Sequence, residues 1–144
     1  MATYQIACVV NTSDPSVALA LEVWLDHRRL WTTRHVAGPE SLTFDIEEDD
    51  DQHELRFVLS NKLPEHTKIN ESGEILSDAL ITVEDLSFDE IKLGQIVINK
   101  ATYTHDFNGS QAETVNKFYG AMGCNGVVSL KFTTPIYVWL LENM

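Results

Sequence analysis

Residues 17–25 place an apolar side chain at every second position: Val17, Leu19, Leu21, Val23 and Leu25. Alternate residues of an extended chain point to opposite faces, so period two over this length commits the segment to a strand with one buried side. Trp24 falls in the other phase, between Glu22 and Asp26. The alternation recurs at Tyr4, Ile6, Cys8 and Val10, at Leu42, Phe44 and Ile46, and at Leu55, Phe57 and Leu59. Asp26-His-Arg-Arg29 separates two apolar stretches and reads as a hairpin turn into Leu30-Trp-Thr-Thr33. Further strands are expected at 78–83, 90–93, 96–99, 127–133 and 136–141. No stretch carries a sustained helical stripe, and 111–119 is the one candidate for a helical turn. Many short strands with frequent turn signals predict an all-β fold: an antiparallel β-sandwich, jelly-roll or immunoglobulin-like.

A chain of 144 residues is long enough for one two-layer domain, 1–144, and its 44% apolar and 22% charged residues are ordinary for a globular protein. The formal charge of −12 argues against nucleic acid, because phosphate binding depends on Lys and Arg and only ten are present. An anionic membrane surface would repel the same charge. The first residues lack the basic and apolar regions of a signal peptide, and no apolar run approaches the roughly 20 residues of a membrane span. Folding in a cytoplasm is therefore expected, with Cys8 and Cys124 as free, packed thiols. Three Asn-x-Ser triplets, at Asn11, Asn70 and Asn108, then mark surface turns only.

The motifs of catalysis are missing. The chain has no phosphate-binding Gly-Lys-Ser/Thr loop, no His-Glu-x-x-His and no Gly-x-Ser-x-Gly. Gly120-Ala-Met-Gly-Cys-Asn-Gly126 reads as a tight turn leading into a strand. Cys124 within it has no histidine at a spacing that suggests a nucleophile. With 22 carboxylates, acid pairs carry no signal for a hydrolase. His53 and His66 flank a strand and read as loop histidines. Glu47-Glu-Asp-Asp-Asp51 lies between two strands and reads as a solvated loop, or as a weak calcium site through residues such as Asp49. The chain is expected not to be an enzyme.

Two clusters of aromatic residues raise the question of a ligand or partner. In a C-terminal strand, Tyr137, Trp139 and Leu141 would face one way and Ile136, Val138 and Leu140 the other. One set must then be covered, either by residues 103–118 or by a second molecule, which makes Tyr137 and Trp139 candidate partner contacts. Trp31, beside Arg28 and Arg29, is expected to be exposed and is the candidate for a ligand contact.

Glu22-Val-Trp-Leu-Asp26, Ser41-Leu-Thr-Phe44 and His53-Glu-Leu-Arg-Phe-Val-Leu-Ser-Asn61 resemble the core of small carbohydrate-binding β-sandwich modules. The greatest similarity is to the calcium-dependent xylan-binding type. That resemblance covers about residues 17–98, leaving 99–144 as a short C-terminal extension. It implies calcium ligands at Asn61 and at Asp78, which opens Asp78-Ala-Leu-Ile-Thr-Val83. The pattern departs at Lys62, where an acid is expected, and at Ala79-Leu80, where Arg-Asn is expected. A second resemblance rests on Tyr103-Thr-His-Asp-Phe-Asn-Gly109, Phe118-Tyr-Gly-Ala-Met-Gly-Cys-Asn-Gly126 and Pro135-Ile-Tyr-Val-Trp-Leu-Leu-Glu-Asn-Met144. These words are similar to small proteins of tailed phages, notably those of marine cyanobacteria. They imply a virion-associated structural protein, assembled in the host cytoplasm, with capsid or tail proteins or a second copy as partners. The alternative is a glycan-binding module, with or without calcium. Neither reading involves nucleic acid or a membrane.

Overall fold

The structure, a computed structural model, describes residues 2–63, 67–105 and 112–144. The first three strands are β1 (Thr3–Thr12), β2 (Ala20–Leu25) and β3 (Arg28–Thr33). They are followed by β4 (Glu40–Glu47), β5 (Gln52–Ser60), β6 (Thr67–Ile69), β7 (Ile75–Asp78), β8 (Ile81–Phe88) and β9 (Ile91–Lys92). After helix α1 (Gln95–Lys100) come β10 (Thr102–His105), β11 (Thr114–Lys117), β12 (Ala121–Met122) and β13 (Gly126–Thr133), and α2 (Ile136–Asn143) ends the chain. One sheet runs β12-β8-β1-β4 with β9 also on β8; the other runs β11-β10-β13-β5-β2-β3. A separate β6-β7 hairpin lies outside both. All pairings are antiparallel. The fold is an all-β antiparallel sandwich.

The alternating residues do what period two dictates. Tyr4, Ile6, Cys8 and Val10 are buried, and so are Leu21, Val23 and Leu25, and Leu55, Phe57 and Leu59. With Val128, Leu130 and Phe132 of β13 they form one core. Burial pushes the Cys8 thiol up to about 12, which leaves it an inert apolar group. Cys8 and Cys124 are both free. Residues beyond 98 are integral to the sheet: β13 lies between β10 and β5. Gly126 opens β13 against β10, and a Cβ there would overlap the Thr104 carbonyl.

Three local expectations are corrected. The segments expected as strands at 96–99 and 136–141 are helical, as α1 and α2. Of the segment expected as a helical turn, 114–117 is strand β11, while residue 111 lies outside the described residues, as do His66 and Asn108. At the C-terminus six successive apolar residues satisfy both periodicities, so the pattern has no power to choose. The helix buries Ile136, Trp139 and Leu140, the i, i+3, i+4 set, and leaves Tyr137, Val138 and Leu141 exposed. Trp139 is covered internally by Phe88 and Phe132, at ring-centroid distances of 5.8 and 6.0 Å. Among the described residues, no helix is long and apolar enough to cross a membrane.

Candidate functional site

At one end of the sandwich three loops are tied together through a single histidine. Asp26 sits in the two-residue turn of the β2–β3 hairpin with φ of 53°, a left-handed conformation that Asp tolerates better than most side chains. Its Oδ1 accepts the backbone N–H of Glu54 at 2.8 Å, and its Oδ2 meets His53 Nδ1 at 2.7 Å. The other ring nitrogen, Nε2, meets Asp49 Oδ1 at 2.6 Å. Arg56 donates to the Asp26 carbonyl at 2.8 Å. The Thr134 hydroxyl donates to Asp49 and accepts from the Asp51 N–H. The hairpin turn, the acidic loop and the β13–α2 connection thus form one unit.

Carboxylates only accept, so an imidazole held between two of them is favoured with both nitrogens protonated. Burial works against the charged ring, whose side chain is only 10% exposed. The hydrogen bonds to Asp26 and Asp49 outweigh that and raise the His53 pKa above its ordinary value. The same bond, with help from Thr134, holds the Asp49 carboxyl below its ordinary value. The acidic end also reaches inward: after burial, the charges of Asp49, Asp26 and Glu48 raise the Tyr4 hydroxyl.

Asp26 and His53 form the wall between two open clefts. The first, of about 350 Å³, has Phe132 and Trp139 at its floor and Gln52, Glu54, Lys131 and Thr133 around it. The second, of about 610 Å³, is lined by Asp45, Glu47 and Asp49 together with His27 and Arg28. The first cleft continues onto the outer face of the six-stranded sheet, because Glu54 and Lys131 are register partners there. Trp24 lies on the same face, opposite Arg56 in the register, with the guanidinium 5.6 Å from its ring centroid. Its Nε1 donates to Glu22 at 2.8 Å, and the Ser129 hydroxyl donates to Glu54 at 2.5 Å. Aromatic surface and polar groups of both signs therefore run together from Trp24 to the cleft.

The residues singled out from the sequence are scattered by the fold. Trp31 is half-buried on edge strand β3 and packs against the core. Trp139 borders the first cleft, while Tyr137 lies on the outer side of α2 and donates to Asp89 at 2.6 Å. Asp49 is bonded to His53 near the start of β5, whereas Asn61 follows the far end of β5; at about 3.3 Å per residue the two are separated by roughly 25–30 Å and cannot share an ion. Asp78 instead meets the side chain of Lys62, the residue after Asn61. The Lys62 ammonium donates to Asp78 Oδ1 and the Ala79 carbonyl at 2.6 Å and to the Gly123 carbonyl at 2.8 Å. Sequence reasoning missed Gln52, which follows the acidic run, and Arg56 and Lys131, which are isolated polar residues between apolar neighbours in their strands. A signal did exist for Trp24: an aromatic residue in the outward phase of the cleanest alternation.

No protein-family model matches the chain, and neither does any curated protein. Among solved structures it is similar to the selenomethionine form of vCBM60, described in connection with two families of calcium-dependent carbohydrate-binding modules related by circular permutation. The two share 11% identity over 88% of this chain and 89% of that one, with a TM-score of 0.55. The complex of vCBM60 with galactobiose also matches, at 13% identity over 88% and 96% of the two chains, with a TM-score of 0.49. The first likeness shows the fold alone: a β-sandwich similar to that of vCBM60. Calcium does not fit the Asn61–Asp78 position, because Lys62 already places a positive charge against Asp78 and the neighbouring carbonyls. Among the described residues no three His, Cys, Asp or Glu side chains are arranged to hold a metal ion.

Proposed function

We propose that the chain is a non-catalytic glycan-binding module that takes a neutral sugar at its loop end. The observation that carries this reading is the first cleft, where Phe132 and Trp139 underlie a rim of Gln52, Glu54, Lys131 and Thr133. A pyranose has apolar C–H faces and a belt of hydroxyls that both donate and accept. The amide, carboxylate, ammonium and hydroxyl of the rim suit the second, and the half-buried Trp24 on the adjoining sheet face, rather than the buried Phe132 and Trp139, offers aromatic surface to the first. The His53 clamp holds the wall of the cleft in place before any ligand arrives, which reduces the ordering cost of binding. Asp45, Glu47 and Asp49 around the adjoining cleft disfavour acidic sugars. Carboxylates at this end are engaged with His53, Arg56 and Ser129, an arrangement suited to holding a ligand rather than to attacking one.

Isothermal titration and affinity electrophoresis against neutral and acidic polysaccharides test the reading. Lys131→Ala with Gln52→Ala is expected to weaken retention on a neutral glycan at least tenfold, with the melting temperature unchanged. Absence of retention on every polysaccharide would overturn the proposal. The particle-borne role implied by the second resemblance would draw on another surface, the exposed Tyr137, Val138 and Leu141 of α2. Copurification of the chain with phage particles is its test.

A further inference from the structure

The end of the sandwich remote from the clefts is organised around Lys62, whose side chain is fully inaccessible to solvent. Its Nζ has three N–H donors and three oxygen partners, from Asp78, Ala79 and Gly123, so every donor is matched. The surroundings are fixed independently. The Lys62 N–H donates to Asn125 Oδ1 at 2.8 Å, and Asn125 Nδ2 returns a bond to the Lys62 carbonyl at 2.9 Å. Ser13 Oγ donates to the Asp78 carbonyl at 2.7 Å and accepts the Leu80 N–H at 2.9 Å. The Tyr103 hydroxyl accepts the Cys124 N–H and donates to the Cys124 carbonyl. Segments following β1, β5, β7 and β12 are thereby joined around one positive charge.

We infer that this junction is a cation site filled by the chain's own Lys62 ammonium, which cross-links these loops in place of a divalent metal. The chemistry of the site favours an ammonium. Calcium takes six to eight oxygens, whereas among the described residues the three oxygens that accept from Nζ equal the donor number of a lysine. Two of the three are backbone carbonyls, and the one carboxylate supplies a single balancing charge. A covalently tethered cation is never lost to dilution or chelation, so this end of the fold is independent of the ionic environment that a calcium site requires. The inference does not depend on glycan binding, and its readout is stability alone.

The test is thermal unfolding of the full chain in EDTA and in millimolar calcium, for the wild type, Lys62→Met, Lys62→Ala and Asp78→Asn. The wild-type midpoint is expected to be the same in both solutions. Lys62→Met retains most of the stem and removes the charge, so its midpoint should fall sharply. Asp78→Asn keeps an oxygen and removes the balancing charge, and its midpoint should fall less. Folded Lys62→Ala should regain part of its midpoint in n-propylammonium, which replaces the missing atoms. Tetramethylammonium at the same concentration, lacking N–H donors, should not restore it. A wild-type midpoint raised by calcium and lowered by EDTA would overturn the inference. So would a Lys62→Met variant as stable as the wild type, or a Lys62→Ala variant that propylammonium leaves unchanged. If neither Lys62 variant folds, the calcium response of the wild type and an unshifted Asp78→Asn midpoint remain able to reject it.

Discussion

The two ends of β5 each hold a basic side chain among oxygens, and they do so for opposite ends. At its start His53 lies between Asp26 and Asp49, and just beyond its end Lys62 lies between Asp78 and two carbonyls. The His53 pair is open: the Asp49 side chain is 56% exposed and the clefts adjoin it. At the other end no solvent reaches the Lys62 side chain, while its partner Asp78 keeps 25% of its side chain exposed. An exposed ion pair is weakened by water and salt, while a buried one is held strongly only when every donor is met. The sandwich therefore has one end built for persistence and one end whose polar groups stay available to a ligand.

Breaking the Lys62 end should have the largest effect. Removing one partner of a buried, hydrogen-bonded ion pair typically costs about 3–5 kcal/mol. Denaturant unfolding of Lys62→Met should show a loss of that size, and a loss no larger than that of His53→Gln would erase the distinction between the ends. Next comes Trp139, which is packed on Phe88 and Phe132 beneath the first cleft. Trp139→Ala should cost about 3–5 kcal/mol, because the ring is buried against Phe88 and Phe132. The variant should keep the oligomeric state of the wild type by light scattering. A fully stable variant would show that the open end does not rest on its aromatic floor.

The smallest effect separates the ends by pH. His53 has a raised folded pKa, so its stabilisation is complete below about pH 6.5, the unperturbed value, and is lost as pH rises through the raised value. Asp49 is lowered, so its stabilisation is present above about pH 3.9 and is lost as pH falls through the lowered value. The clamp is at full strength between those limits. The wild-type melting temperature should decline from pH 6.5 to 9 more steeply than that of His53→Gln. Parallel curves would remove His53 from the account of the open end.

Strand positions were legible where one face is apolar and the other polar, as at Tyr4, Ile6, Cys8 and Val10. The Asp26 turn was legible from its place between two apolar runs. The helices were not, because Ile136-Tyr-Val-Trp-Leu-Leu141 fits a strand buried on both sides as well as a helix, and only packing against Phe88 and Phe132 decides. The clamp at His53 was legible only in part. Asp26, Asp49 and His53 were each noticed as turn or loop residues, but Asp26 and His53 are 27 positions apart and meet through the pairing of β2 with β5.

Alternation along the chain, by itself, determined that this protein is built of strands with one buried face, as in a sandwich or a barrel, because the side-chain period of an extended backbone is a local property. Which charges became sites was decided by tertiary structure alone. Lys62 departs from the residue type expected beside Asn61, and in sequence it reads as a mismatch. Folding brings Asp78, Ala79 and Gly123 to it from up to 61 positions away. Local pattern encodes which face of a strand is buried, but matching an ammonium to three distant oxygens is a property of how the strands are connected.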